Sequence, residues 1–211
     1  MKIRLFGSGK MGKMVAQVAQ TQGRQVVDEM LNADICIDFS HPEVVIDHVK
    51  QCCEHHKNLV IGTTGWDAHL HEVRELVTHN GIGVLYAPNF SLGVHLFLKI
   101  LEHSAQLMNH FVEYAVAGVE FHHATKKDAP SGTALDMCRR VEQAIDRIDK
   151  LDITAVRVGS IPGKHLVLFD SPFDTISICH EARSREGFAQ GALKAVKWLI
   201  GKSGFLQWMI Y

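Results

Sequence analysis

The stretch Lys2-Ile3-Arg4-Leu5-Phe6-Gly7-Ser8-Gly9-Lys10-Met11-Gly12 decides how the front of this chain folds. Lys2–Ser8 reads as a buried strand, and Met11, Met14, Val15, Val18 and Ala19 recur at helical spacing behind it. Gly23 is placed to end that helix. Between strand and helix stands G-x-G-x-x-G, in the context that a dinucleotide fingerprint requires. Gly7 permits the tight turn, Gly9 the close approach of a pyrophosphate to the backbone, and Gly12 the packing of helix on strand. Ser8, Lys10 and Met11 complete the loop. The fingerprint also expects an acid about twenty positions on, and Asp28 and Glu29 follow a second strand there. Arg24, Lys10 and Lys13 are equally close in sequence for a 2′-phosphate. NADH and NADPH therefore both remain open as cofactor.

Working outward, the same rhythm continues. Asp34–Phe39 is a strand, and Ser40-x-x-Glu43 with Pro42 reads as a capping box opening a helix that runs to about His56. Leu59-Val60-Ile61 is a short strand, Gly62-Thr63-Thr64-Gly65 a loop, and 67–79 another helix. Gly83–Ala87 is a further strand, followed by Pro88-Asn89-Phe90-Ser91. Alternating strands and helices predict a doubly wound parallel sheet of Rossmann type, whose ligands bind beyond the carboxyl ends of the strands. Ser40, the Gly62–Gly65 loop and the Ala87–Phe90 loop all fall there.

After a helix over 93–109, with Val94, Phe97, Leu98 and Leu101 inward, the character changes. Phe111–Phe121 reads as a strand. Ala134, Met137, Cys138, Val141, Ile145 and Ile148 mark a helix. Ile153–Val158, His165–Phe169 and Thr175–Ala182 read as three strands of an antiparallel meander, and Phe188, Ala192, Val196 and Leu199 as a last helix that returns to the first domain. The fold class is α/β, a Rossmann-type sheet plus an α+β mixed-sheet domain for substrate binding and oligomerisation. The expected division is 1–93 with 183–211, and 94–182.

The composition excludes several classes of function. A net charge of −1 over 211 residues, with no Lys/Arg run, gives no footing for nucleic acid or a membrane surface. No apolar run is long enough to span a bilayer. The start of the chain lacks the features of a signal peptide, and Cys36, Cys52, Cys53, Cys138 and Cys179 form no C-x-x-C pair. Cys36 and Cys179 sit in apolar strand-like runs that suit buried reduced thiols, so the cytoplasm is the expected location. His55-His56 and His69-x-His71 lie on polar helix faces without Cys or carboxylate partners at ligand spacing, and no metal is assigned.

The chemistry concentrates in Glu120–Thr133, E-F-H-H-A-T-K-K-D-A-P-S-G-T. His122 and His123 offer a proton donor and an adjustable charge. Lys126 adds a point charge, and Pro130-Ser131-Gly132-Thr133 opens a helix whose first N–H groups suit an anion. Each residue alone is ordinary loop chemistry. Together they read as a pocket for a small dianion that accepts a proton.

The run Glu120-x-His122-His123-x-x-Lys126-x-Asp128-Ala129-Pro130-Ser131-Gly132-Thr133-Ala134 resembles the signature of the 4-hydroxy-tetrahydrodipicolinate reductase (dihydrodipicolinate reductase) family of diaminopimelate and lysine synthesis. Gly9–Gly12, Ile37–Ser40, Ile61–Gly65, Ala87–Ser91 and Arg183–Gly191 are similar to that family's other blocks, in its order. The resemblance implies a Rossmann domain with a tetramer-forming mixed sheet. It implies NAD(P)H-dependent reduction of a cyclic unsaturated dicarboxylate, with hydride from nicotinamide. His122 would donate the proton with Lys126 as its partner. His123, Lys126, Ser131, Gly132 and Thr133 would hold the substrate's carboxylates. Gly7–Gly12, Gly62, Thr63, Thr64, Ala87, Pro88, Asn89 and Phe90 would hold the cofactor, with Arg185 and Phe188 near it at the domain junction. The chain departs from the family pattern by being compact around 23–33 and before Leu151. Two rival readings are a dehydrogenase of aspartate- or homoserine-type acids and a dinucleotide sensor without turnover. The paired histidines and the D-A-P-S-G-T run oppose the first, and a proton donor beside Lys126 opposes the second.

Overall fold

The computed structural model describes residues 1–208. They form two compact units, Met1–Ser91 with the segment from Arg185 onward, and Leu92–Ser184. Residues 209–211, within the first expected domain, lie outside the described residues. Among the described residues no helix is long and apolar enough to cross a membrane.

The first unit opens with β1 (Lys2–Phe6), α1 (Lys10–Thr21), β2 (Gln25–Val27), β3 (Ile35–Asp38), α2 (Val45–Glu54), β4 (Leu59–Ile61), α3 (Leu70–Asn80) and β5 (Gly83–Tyr86). The second unit contains α4 (Leu92–Met108), β6 (Ala115–His122), α5 (Gly132–Ala144), β7 (Ile153–Arg157), β8 (Lys164–Asp170) and β9 (Thr175–Glu181). The chain then returns to the first unit as α6 (Glu186–Leu199) and β10 (Gly204–Gln207).

Six strands of the first unit run parallel in the order β10-β5-β4-β3-β1-β2. Every residue of β3, β4 and β5 is buried, because helices cover both faces. Ile35, Ile37, Val60 and Leu85 point to the side covered by α1 and α6, where Val15, Val18, Ala192 and Val196 meet them. Cys36, Leu59, Ile61, Val84 and Tyr86 face the α2 and α3 side, among Val49, Val73 and Val77. The order reverses beside β1, since β2 lies on one side of it and β3 on the other. That switch point sets the glycine loop at the crevice where ligands enter such sheets.

Two local expectations fail. Ser40 and Glu43 form no capping box: a 3-10 turn at Pro42–Val44 precedes α2, no side chain caps it, and the Ser40 hydroxyl is held by Asp38 instead. Arg24 is buried, and its Nη1 donates to the carbonyl of Leu193 at 3.2 Å, so it is withdrawn from any 2′-phosphate. Sequence reading also passed over β10, Gly-Phe-Leu-Gln, which extends the sheet beyond β5.

In the second unit the order is β7-β6-β8-β9, with β6–β7 parallel and β6–β8 and β8–β9 antiparallel. This corrects the meander of three strands. β7 and β8 are not neighbours, because β6, eight residues long, takes the centre. A strand, helix and strand in succession make a parallel crossover, and α5 carries the chain from β6 to β7 in that way. Val94, Phe97, Leu98 and Leu101 of α4 and Met137, Cys138 and Val141 of α5 share one core with Val167 and Phe169 of the sheet. On the alternate positions of the strands, Val119, Phe121, Val156, Leu166 and Leu168 are half-buried. Cys179 is exposed, against the expectation of burial.

Candidate active site

In the first unit, the residues at the carboxyl ends of the parallel strands divide by what holds them. Gly7 has φ +97°, and a Cβ there would stand 2.2 Å from the carbonyl oxygen of Phe39. A Cβ on Gly12 would stand 2.0 Å from the oxygen of Gly7. Both glycines are therefore demanded by the fold itself. Gly9 is different: nothing lies within 4 Å of its Cβ position, and its φ of −69° suits any residue. It precedes α1, whose first turn has no side-chain cap and no acid. An open glycine before an uncapped helix N-terminus fits a nucleotide's diphosphate. Ser8, Lys10 and Lys13 are exposed beside it and Met11 is half-buried. Asp28, beyond β2, is exposed with Arg4 at 3.7 Å.

Asp38, at the end of β3, was not anticipated. Its side chain is fully buried, and Oδ1 accepts from the Ser40 amide at 2.8 Å, the Ser40 hydroxyl at 2.6 Å and the Thr63 hydroxyl at 2.6 Å. Oδ2 accepts from Nδ1 of His48 at 2.6 Å. Burial would raise this carboxyl, but the bonds from His48, Ser40 and Thr63 hold it below the usual carboxylate range. One carboxylate thus fixes the ends of β3 and β4 and the α2 helix together. Gly62 admits the Phe39 ring, Thr64 is exposed, and Ala87 and Phe90 are buried with Asn89 accepting from the Ser91 amide. Pro88 is exposed, while Arg185 precedes α6 and Phe188 lies half-buried in its first turn.

In the second unit, strand alternation puts Glu120 and His122 on one face of β6, and pairing adds Arg157 and His165 from its neighbours. Glu120 is fully buried. Its Oε1 accepts from the Ser131 amide at 3.0 Å and from Nη2 of Arg157 at 2.8 Å, and its Oε2 takes the Ser131 hydroxyl. Nδ1 of His122 lies 3.4 Å from Oε2 and Nε2 of His165 lies 3.6 Å from it. Burial would raise Glu120, but Ser131 and Arg157 keep it ionised below its ordinary range. Burial lowers His122; Glu120 opposes that, and Lys126 and Arg157 reinforce it. Burial pushes His165 down to about 4, so it is neutral at pH 7. A carboxylate oxygen of Glu120 and a ring nitrogen each of His122 and His165 lie within 4.8 Å of one another, with Arg157 as counter-charge to the carboxylate.

The loop beyond β6 carries the remaining residues. Lys126 binds both oxygens of Asp128, at 2.7 and 2.9 Å, and Nδ1 of His123 is 2.8 Å from the Thr125 hydroxyl. Ser131 caps α5, accepting from the Ala134 amide at 3.2 Å. Gly132 opens the helix with nothing within 4 Å of its Cβ position, and Thr133 follows, half-buried. Glu120, Arg157 and His165 were missed as site members. Glu120 had a signal, since a residue two before His122 on a strand shares its face. The other two arrive through pairing across the sheet, which local reading does not supply.

A parallel Rossmann-type sheet continued into a mixed sheet with this chemistry defines a nicotinamide-dependent oxidoreductase. The family models "Dihydrodipicolinate reductase, N-terminus" and "Dihydrodipicolinate reductase, C-terminus" match residues 23–90 and 93–209. The chain belongs to the dihydrodipicolinate reductase family, which serves dihydrodipicolinate reduction in lysine and diaminopimelate synthesis. It is similar to 4-hydroxy-tetrahydrodipicolinate reductase of Christiangramia forsetii, with 33% identity covering 97% of this chain and 94% of that one. Among solved structures, dipicolinate-bound dihydrodipicolinate reductase from Paenisporosarcina sp. TG-14 shares the fold with TM-score 0.80 at 20% identity, covering 98% of this chain and 97% of that one. Aspartate semialdehyde dehydrogenase II from Vibrio cholerae is a more distant likeness, with TM-score 0.54 at 11% identity, covering 94% and 98%.

Proposed function

We propose that His122 gives the proton, and Lys126 with the start of α5 binds the substrate carboxylates, in reduction of dihydrodipicolinate to tetrahydrodipicolinate. The observation that carries this reading is a buried imidazole set beside an ionised carboxylate, one strand-end away from a lysine and a glycine-opened helix. Bound NADH or NADPH supplies the hydride. Gly7–Gly12, Asp28, Ser40, Gly62–Thr64, Ala87–Phe90, Arg185 and Phe188 would hold that nucleotide. Exposed Asp28 and the withdrawal of Arg24 favour NADH being used at least as well as NADPH.

Lys126 is paired with Asp128 at rest, and an arriving carboxylate takes over or shares that ammonium. His123 and the backbone at Gly132 and Thr133 receive the second carboxylate. Ser131 contributes by fixing the helix start, since its hydroxyl is turned onto Glu120. Burial, with Lys126 and Arg157, disfavours the imidazolium of His122. A dianion settling there reverses that balance, so substrate binding draws in the proton that His122 then gives up. The donor is lost as pH rises, and kcat/KM is expected to fall on the alkaline side.

The same reading includes a homotetramer built on the half-buried sheet face around Phe121 and Leu168, and a place in the cytoplasm. The test is turnover with substrate made in place from pyruvate and aspartate semialdehyde by the preceding synthase, following NADH and NADPH oxidation in parallel. Substrate-dependent oxidation is expected, lowered about 100-fold or more by His122→Asn with cofactor affinity little changed. Dipicolinate is expected to compete with substrate. Cofactor binding without oxidation would overturn the catalytic reading and favour the sensor.

A further inference from the structure

We infer that Glu120 is the positioning residue for the proton donor: its buried carboxylate fixes the His122 imidazole with the proton on Nδ1, and ties that ring to the start of α5. This rests on the reading of His122 as donor. Nδ1 of His122 is buried and has no hydrogen-bond partner of its own, and the polar atom facing it is Oε2 of Glu120 at 3.4 Å. A carboxylate only accepts. A lone pair on Nδ1 would therefore oppose a second lone pair out of reach of water, whereas an Nδ1–H would face an acceptor. The separation exceeds an ordinary hydrogen bond, as donor–acceptor pairs often do before substrate closes a site.

With Nδ1 so committed, Nε2 becomes the nitrogen that exchanges protons. That edge borders Gly163, where a Cβ would stand 3.1 Å from Nε2; glycine leaves room that alanine would fill. Among the other groups facing the ring, Lys126 and Arg157 oppose the imidazolium, exposed Asp128 favours it weakly, neutral His165 adds no charge, and Glu120 is the principal group raising it. The same Glu120 accepts from the amide and hydroxyl of Ser131, the residue that caps α5. Proton donor and anion-binding helix start thus share one carboxylate as their reference point.

The test compares Glu120→Gln with His122→Asn in pH profiles of kcat/KM. Glu120→Gln is expected to move the alkaline limb down by about one pH unit, since the imidazolium loses its nearest anion. A merely structural glutamate would change expression or melting and leave the limb in place. Because the Glu120→Gln substitution leaves Arg157 without its carboxylate, the wild-type protein is read as well. Imidazole ¹⁵N shifts, with His122 assigned by its loss in His122→Asn, are expected to show the Nδ1–H form. An unmoved limb, or an Nε2–H ring in the wild type, overturns the role of Glu120. A limb that persists in His122→Asn overturns instead the donor reading beneath it.

Discussion

A lysine bound by both oxygens of one neighbouring aspartate is a charge held in waiting. Lys126→Ala should raise KM at least about tenfold and lower kcat as well, because an ammonium–carboxylate contact contributes to binding and to charge in the transition state; steady-state kinetics decide it, and a change in kcat alone would contradict it. His165 makes a separate prediction about stability. Its folded pKa is depressed to about 4 from 6.5, so the unfolded chain binds more protons between those values, and stability must fall as pH drops through them. The full effect is on the order of 3 kcal/mol. Glu120, also depressed, loses its contribution in the same acid direction. Melting of the wild type should therefore fall steeply below about pH 6.5, and His165→Gln should flatten that slope; an equal slope in both would exclude His165 as the source. At this scale the sequence displayed the residues that are close in chain order, His122, His123, Lys126 and the Ser131–Thr133 cap. Arg157 and His165 stayed hidden because their place depends on which strand lies beside β6, and Arg24 misled because an arginine near the glycine loop looks the same whether it faces ligand or core.

The glycine loop separates structural from ligand-driven need within a single element. Gly12→Ala should push α1 away from β1, since the added carbon would meet the Gly7 oxygen at 2.0 Å, and both melting temperature and cofactor binding should collapse. Gly9→Ala meets nothing within 4 Å, so its melting curve should stay within a degree or two of wild type, while cofactor affinity drops about tenfold or more through steric interference with the diphosphate. Thermal melts beside nucleotide fluorescence titrations test the pair; a Gly9→Ala protein that binds normally would remove the loop from the cofactor site. The parallel sheet was readable because each strand, turn and helix there is written in consecutive residues, with glycine or proline between. The mixed sheet was read only as a set of strands. Their order depends on a crossover by α5 and on β6 being long enough to take two partners, and neither is a local property. The supposed cap at Ser40 failed for a related reason: a buried carboxylate two residues earlier competes for the same hydroxyl.

For the whole molecule, the proposed assembly predicts that Leu168→Glu, a charge placed on the half-buried face of the mixed sheet, yields smaller species in light scattering with the melting transition retained. An unchanged mass would place the assembly surface elsewhere. The return of α6 and β10 to the first unit has a consequence for how the protein is born. Residues 1–91 emerge before the rest, yet the part of the core over Val60 and Leu85 that Leu193, Val196 and Leu199 of α6 supply is still to be made. At ordinary rates of synthesis the wait is on the order of ten seconds. Meanwhile Leu92–Ser184, which is continuous in the chain, is free to finish. The unit made in the middle is contiguous in the chain, whereas the one begun earliest cannot complete its sheet until α6 and β10 have been made.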